Sequence, residues 1–398
     1  MGVRWLFAFI FKINNDMENN RKRVLIACDS SATLLGFRGK LIAELVKTNE
    51  VHVFTPKIYL TSVADQLKAL QVTVHENTLN GSNVSIFSDL KYIFQLYKLI
   101  QTLKPEIFFP YTFKPVIYGT AIAKICKVNH ITPMLTGLGY NFSPQGVKHG
   151  LVSHITRFLL KWSLLPSKRL SIIFQNPDDC KTLLRAGVIN KQHHTFIVNG
   201  SGVDLSAYRY SRPKTRNISF LMISRLINAK GVKEFYEAAK LVQQKFPEIK
   251  FKLLGSYDEN IDAIDQELYA SIKSGKVVEY LGSVDDVRPY IKAASVLVLP
   301  SYYGEGVPRC MLEGMAMGRA IITCDSVGCR ETINPSDVQP NGFLVPVKNI
   351  SALASKMEYY IRHTKDILIY GLNGRKFARQ KFDVNLINAA MLKIMHLN

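Results

Sequence analysis

Three features of the sequence predict an α/β protein of two doubly wound, Rossmann-like domains facing a cleft. Short apolar, β-rich runs alternate with helical patterns from Arg23 onward, an order that builds parallel sheets with helices on both faces. The series pauses at a polar, basic stretch from Tyr208 to Asn217, which suits a linker, and then begins again. At 398 residues the chain also exceeds one typical core.

In order, the first half predicts strands at Val24–Cys28, Val51–Thr55, Gln71–His75, Ile107–Pro110, Ile131–Leu135, Ile172–Gln175 and Phe196–Val198. Between them fall helices at Gly36–Thr48, Ser62–Leu70, Ser88–Leu103, Pro115–Lys127 and Pro177–Ala186. The second half predicts strands at Ile218–Ile223, Phe251–Leu254, Val277–Tyr280, Val296–Leu299, Ala320–Thr323 and Phe343–Val345. The expected division is 1–207, 208–375, and a C-terminal helix within 376–398 that crosses back to the first domain. Two such sheets in tandem leave their ligand site between them, at the carboxyl ends of the strands.

The net charge is +20 and it is unevenly spread. Residues 1–200 hold 24 Lys and Arg against 11 Asp and Glu, and no acid occurs between Glu106 and Asp178. Lys114, Lys124, Lys127, Lys148, Arg157, Lys161, Lys168 and Arg169 all fall in that gap. A one-sided basic surface implies an anionic partner: nucleic acid, anionic lipid or a phosphorylated substrate. Leu151 to Leu165 adds a helical pattern with Leu151, Ile155, Phe158, Leu159, Trp162 and Leu165 on one face and His154, Arg157 and Lys161 on another. That pattern fits a helix packed on its own sheet and equally an interfacial membrane helix. Trp5 to Phe11 is too short to span a bilayer; it reads as a weak interfacial anchor or as an extension upstream of a start at Met17. The six cysteines form no C-x-x-C pair and read as reduced thiols of a cytoplasmic protein; the histidines show no metal-ligand spacing. Nucleic-acid binding finds no recognition-helix pattern or zinc module to support it.

The richest stretch is Tyr302-Tyr303-Gly304-Glu305-Gly306-Val307-Pro308-Arg309-Cys310-Met311-Leu312-Glu313. The run Val296–Leu299 leads into this Gly-rich loop, which opens an apolar helix. Its first free N–H groups therefore aim over the strand's end, a place suited to phosphate. Glu305 and Glu313 beside an anion site suit sugar hydroxyls, although Glu313 also stands four residues after Arg309, the spacing of a surface ion pair. Arg225 and Lys230, in S-R-L-I-N-A-K-G after a strand, form a cationic pair able to neutralise a diphosphate. In the first half, Leu35-Gly36-Phe37-Arg38-Gly39 reads as a loop between strand and helix, and Thr136-Gly137-Leu138-Gly139-Tyr140 as a flexible cleft-facing loop. Asn199-Gly200-Ser201-Gly202-Val203-Asp204 suits a hinge.

These pieces in combination, with G-C-R-E-T, N-G-F-L-V-P, Q-N-P-D-D and N-G-S-G-V-D-L, resemble the retaining family-4 glycosyltransferases of GT-B fold. The likeness is greatest to members building capsule, O-antigen or other undecaprenyl-diphosphate-linked glycans. The resemblance implies an acceptor-binding, membrane-facing first domain and a nucleotide-sugar-binding second domain. It gives Arg225 and Lys230 the diphosphate, Glu305 the donor sugar and Glu313 the ribose. Gly306 and Val307 then meet sugar and phosphate, the Gly36 loop closes over the phosphates, and Ser283 borders the base. On the acceptor side it implies Thr136, Gly137 and Gly139. Thr112 or Lys114 replaces the histidine that many relatives carry near the sugar. It further implies transfer of a sugar, an N-acetylhexosamine from UDP foremost, to a lipid-diphosphate-linked acceptor at the inner face of the cytoplasmic membrane. Configuration is retained, no metal or cofactor is used, and nucleic acid is no partner. A GDP-mannose-type transferase and a sugar-nucleotide epimerase remain same-fold alternatives; a membrane scaffold with a dead site is opposed by the intact Glu305, Glu313, Arg225 and Lys230.

Overall fold

The computed structural model describes residues 21–79, 86–139, 142, 151–257 and 262–397. The apolar stretch before Met17, together with Tyr140 and Lys148, lies outside the described residues.

The first domain opens with β1 (Arg23–Ala27), α1 (Ser31–Leu45), β2 (Glu50–Pro56), α2 (Thr61–Ala69), β3 (Thr73–Asn77), α3 (Ile86–Leu103) and β4 (Ile107–Pro110). A π-helical turn, Pro115–Gly119, runs into α4 (Thr120–Ile125), followed by β5 (His130–Ile131) and β6 (Met134–Leu135). Then come α5 (Leu151–Ser163), β7 (Ser171–Phe174), α6 (Pro177–Arg185) and β8 (His194–Ile197). The sheet order is β3-β2-β1-β4-β5, with β6-β7-β8 as a second sheet, and every pairing is parallel. Val24 to Ala27 are wholly buried because helices cover both faces.

The expected single strand Ile131–Leu135 is split in two. Pro133 has no N–H to give the ladder, so β5 pairs with β4 and β6 pairs with β7. The helix expected from Gly36 begins earlier, at Ser31, so Gly36 lies within α1 and the loop expected around Leu35–Gly39 is helical.

The second domain is β9 (Ser219–Ile223), a 3₁₀ turn Asn228–Lys230, α7 (Val232–Lys245), β10 (Lys250–Leu254), α8 (Gln266–Lys273) and β11 (Glu279–Tyr280). It continues through α9 (Arg288–Ala293), β12 (Val296–Leu299), α10 (Arg309–Ala316), β13 (Ala320–Cys324), β14 (Gly342–Val345), α11 (Ile350–Arg362) and α12 (Thr364–Lys381). Its six strands run in the order β11-β10-β9-β12-β13-β14. The strand order reverses between β9 and β12 here, and between β1 and β4 in the first domain. Loops diverging from such a reversal leave a crevice.

The chain crosses between domains twice. Val203 already packs in the second core, so the first crossing precedes the expected 207. Ala378 and Phe382 also belong to that core, so residues 376–381 finish α12 and do not leave the domain. The return falls at Val203–Asp383, a parallel bridge. Then α13 (Val384–Ile394) packs Ile387 and Met391 beside Leu34, Leu41 and Val198 of the first domain. The interdomain strap is also less free than its polar composition implies, since Tyr208 and Tyr210 are tied to α10 and its end. All six cysteines are unpaired thiols; Cys28, Cys324 and Cys329 are buried and the others partly so.

Candidate active site

The reversal points of the two sheets face each other across one cavity of about 300 Å³. From the first domain come Thr33, Phe37, Arg38, Tyr111, Thr112 and Thr136; from the second come Arg225, Lys230, Glu305, Gly306 and Val307. Five of the residues expected to handle the donor thus share one space, although they span eighty positions of sequence.

Local rules explain each position. Arg225 follows β9 and is exposed at the mouth. Lys230 ends the 3₁₀ turn and is aimed by Gly231, whose φ of +77° and contact with the Pro300 carbonyl admit no side chain. The Lys230 ammonium is ion-paired to Glu305 Oε1, which also accepts from Ser301 Oγ at 3.0 Å. Burial pushes the Lys230 pKa down, but the charge and hydrogen bond of Glu305 outweigh it, and the net shift is upward. Lys230 is therefore a cation throughout the neutral range. Pro308 is the N-cap of α10 and has no side-chain group to accept from the first helical amides, and Arg309 and Cys310, which begin the helix, line the cavity.

Other expected residues stand elsewhere. Glu313 is 6% exposed and off the cavity wall. Its Oε1 accepts from Arg309 Nε at 2.7 Å and from the Tyr208 hydroxyl at 2.8 Å. The Arg309–Glu313 pair allowed by the spacing does form, but buried, because α10 is apolar on every other side. Lys114 is also off the wall: its ammonium is 2.8 Å from Asp89 of α3. Thr112, at φ +71°, lines the cavity in its place; a β-branched residue in that region is strained, as often found at functional positions. Ser283 is exposed after edge strand β11 and does not reach the cavity. Gly36 reaches the site only as a helical residue, where an added Cβ would lie 3.1 Å from Arg309 Nη1.

The loop Thr136–Gly139 is packed rather than flexible. Gly139 N–H donates to the Gly304 carbonyl at 3.2 Å. A Cβ on Gly137, at φ +122°, would lie 2.4 Å from the Gly304 oxygen. These glycines let the two backbones touch, and only Thr136 is left on the cavity wall.

The sequence reading gave no role to the groups that hold this contact. Asn176 caps α6 by accepting from Asp179 N–H at 2.8 Å. Its amide then donates to the carbonyls of Glu305 and Gly306 at 3.1 and 2.9 Å. Asp178 is ion-paired to Arg330 across the same seam. The Q-N-P-D-D run carried this signal as an N-cap pattern, but nothing local says what a cap's second hydrogen bond reaches. Arg38, which nothing in the sequence around Gly36 marks out, is a further cavity residue.

Beyond the seam lies a second groove of about 620 Å³, lined by Phe142, Arg157, Asp179, Arg185, Tyr303 and Arg330 among others. Burial pushes the Asp179 carboxyl up to about 7; the Asn176 hydrogen bond opposes the rise and the Asp178 charge adds to it. A carboxyl raised in the folded state stabilises below its unfolded pKa and loses that contribution as pH rises through 7. Asp179→Asn is therefore expected to match the wild type near pH 4 and exceed it at pH 8 by up to about 4 kcal/mol. Urea midpoints across that range check this, and parallel profiles for the two proteins would refute it.

Among the described residues, no group of three His, Cys, Asp or Glu is placed to hold a metal ion, and no helix is long and apolar enough to cross a membrane.

A doubly wound pair of domains, with cations, the Glu305 carboxylate and the start of α10 gathered in the crevice between them, defines a GT-B glycosyltransferase. Residues 24–176 match the family described as glycosyl transferase 4-like, and residues 217–363 match glycosyl transferases group 1. The chain belongs to these glycosyltransferases. Among curated relatives it is 29% identical to an N,N'-diacetylbacillosaminyl-diphospho-undecaprenol α-1,3-N-acetylgalactosaminyltransferase of Campylobacter jejuni, over 94% of this chain and 98% of that one. It is 24% identical to the capsular polysaccharide biosynthesis glycosyltransferase CapM of Staphylococcus aureus, over 93% and 95%. A UDP-Gal:α-D-GlcNAc-diphosphoundecaprenol α-1,3-galactosyltransferase of Escherichia coli is 23% identical over 71% and 73%. Among solved structures, Anabaena HepE in complex with UDP and glucose superposes with a TM-score of 0.73 at 18% identity, over 94% of this chain and all of that one. Sucrose-phosphate synthase of Thermosynechococcus elongatus gives 0.76 at 18%, over 94% and 98%. At that identity these two establish the fold alone.

Proposed function

We propose that this enzyme transfers a sugar, an N-acetylhexosamine foremost, from a UDP-sugar to a saccharide carried on a lipid diphosphate in bacterial surface polysaccharide synthesis. The observation that carries the donor half is the gathering of Arg225, Lys230, Glu305 and the start of α10 on one cavity. The diphosphate lies against Arg225 and Lys230, and Glu305 holds the sugar. As the bond from the anomeric carbon to the phosphate oxygen breaks, negative charge grows on the departing phosphate, where fixed cations act most strongly. The acceptor hydroxyl attacks from the same face, its proton passes to that phosphate, and configuration is retained without a dedicated protein base or a bound metal. Glu313 reaches the ribose only if Arg309 moves off it, so in this reading donor binding opens that pair. The relatives' names support a UDP donor and an undecaprenyl diphosphate acceptor.

The acceptor half rests on the surface. On α5, Ile155, Phe158 and Trp162 are exposed on one face while Leu160 faces the core; just past the helix end Leu165 is exposed and Leu164 buried. Leu159, expected on the outer face, is half-buried, and the Leu151 side chain lies outside the described residues. On α3, Ile86, Phe87, Leu90, Phe94 and Tyr97 form a second exposed stripe, with Phe87 88% accessible. Both helices pack on the Pro115–Ile125 segment. Exposed Lys91, Lys98 and Lys161 border the stripes, the pattern of a face that lies on an anionic bilayer. Arg157 of α5 also lines the second groove, which supports a path for the acceptor glycan from the membrane face to the cavity.

Purified protein is expected to transfer radiolabelled N-acetylhexosamine from UDP to an undecaprenyl-diphosphate saccharide, and to be thermally stabilised by UDP but not by GDP, ADP or dTDP. Stabilisation by GDP-mannose alone would replace the donor assignment. A change of the sugar nucleotide without any acceptor would mark an epimerase.

A further inference from the structure

Among the described residues four cations line the central cavity, and three of them are already accommodated. Lys230 has Glu305, Arg309 has Glu313, and Arg225 is exposed to water. Arg38 has neither. It stands on α1, lines the cavity and is 2% exposed. Among the described residues no carboxylate pairs with it, its Nε has no partner, and Nη2 meets only the Met134 sulfur at 2.7 Å. The guanidinium stacks instead on aromatic faces, 5.3 Å from the Tyr111 ring centre and 5.8 Å from that of Phe109. Burial lowers its pKa to about 10, with Tyr111 opposing the fall and Arg309 adding to it, so it is still charged at neutral pH.

A buried cation without an anion costs several kcal/mol, and folding alone gives no reason to keep it. An arginine fork also matches the geometry of phosphate oxygens. Resting on the glycosyltransfer reading above, we propose that Arg38 binds a phosphoryl oxygen of the ligand in the cleft. It thereby supplies from the first domain a charge opposite to Arg225 and Lys230 of the second. Two phosphates reach this cavity in that reading, the donor's diphosphate and the acceptor's, and both present the chemistry Arg38 lacks.

The test compares wild type, Arg38→Met and Arg38→Lys by thermal melting and isothermal titration with UDP, farnesyl diphosphate and uridine. Arg38→Met is expected to melt at or above the wild-type temperature, because an unpaired buried charge has been removed. It is expected to bind one phosphate probe at least tenfold more weakly, with Arg38→Lys intermediate and uridine unchanged. Loss confined to UDP assigns the donor's phosphate, and loss confined to farnesyl diphosphate assigns the acceptor's. Unchanged binding of both by Arg38→Met overturns the proposal. So does a lower melting temperature with unaltered affinity of the folded fraction, which would mark a structural arginine. A wild type that binds none of the three overturns this proposal and the glycosyltransfer reading together.

Discussion

Lys230→Ala is expected to lower the rate of sugar transfer by about 10²–10³-fold, the cost of removing one preorganised charge from a developing oxyanion. The same change leaves the largely buried Glu305 carboxylate beside Ser301 without its counter-ion, and losing one partner of a buried pair costs up to about 3–5 kcal/mol. Stability and chemistry therefore fall together and must be separated. Lys230→Met combined with Glu305→Gln removes both charges, so the melting temperature should recover most of its loss while transfer stays low. If the double variant regains activity with stability, Lys230 holds the loop and does not act on the leaving group. The upward shift of the Lys230 pKa places its titration at alkaline pH; the pair's stability is present below the unfolded value and lost only as pH rises through the folded one. Between pH 6 and 9 the deficit of Lys230→Ala should accordingly be constant.

Phe158→Asp with Trp162→Asp is expected to weaken binding to vesicles of mixed neutral and anionic phospholipid by at least about a hundredfold, since each large apolar side chain returned to water forfeits about 1.5–3 kcal/mol. Both residues project from the core-remote face of α5, Phe158 being 68% exposed, so the fold and UDP-induced stabilisation should be unchanged. Adding Phe87→Asp on α3 should deepen the loss, and raising salt should reduce the wild type's preference for anionic vesicles. Flotation of protein with liposomes measures all of this. Equal flotation of wild type and the double variant would remove the membrane face from the account, as would a wild type that never floats.

Where the sequence was legible, the reason is local. Strands such as Val296–Leu299 are continuous apolar runs because both faces are covered. Prolines, glycines and caps mark where helices begin and end, as Pro308 does for α10 and Gly318, at φ +81°, after its end. Arg225, Lys230, Glu305 and Gly306 line the cavity as expected because each follows a strand, where doubly wound sheets keep their ligands. Glu313 and Ser283, expected beside them, stand off the cavity wall for the opposite reason. A residue's distance from a strand end does not say whether a neighbour such as Arg309 will cover it. The α3 stripe went unread because a helix pattern shows an apolar face but not that the face is left bare.

The order of strands and helices, the doubling of the fold, the basic first half and the chemistry at each strand end follow from the linear string, since each is either a local spacing or a sum over the sequence. Contact across the domain seam does not. Asn176 on the Glu305 loop, Gly137 against Gly304, Arg309 over Glu313 and the stranded charge of Arg38 join segments that lie far apart along the chain, with the exception of the α10 pair, whose burial is itself a tertiary fact. Partnership of charges is a property of three-dimensional neighbours, and burial sets how much each partnership is worth.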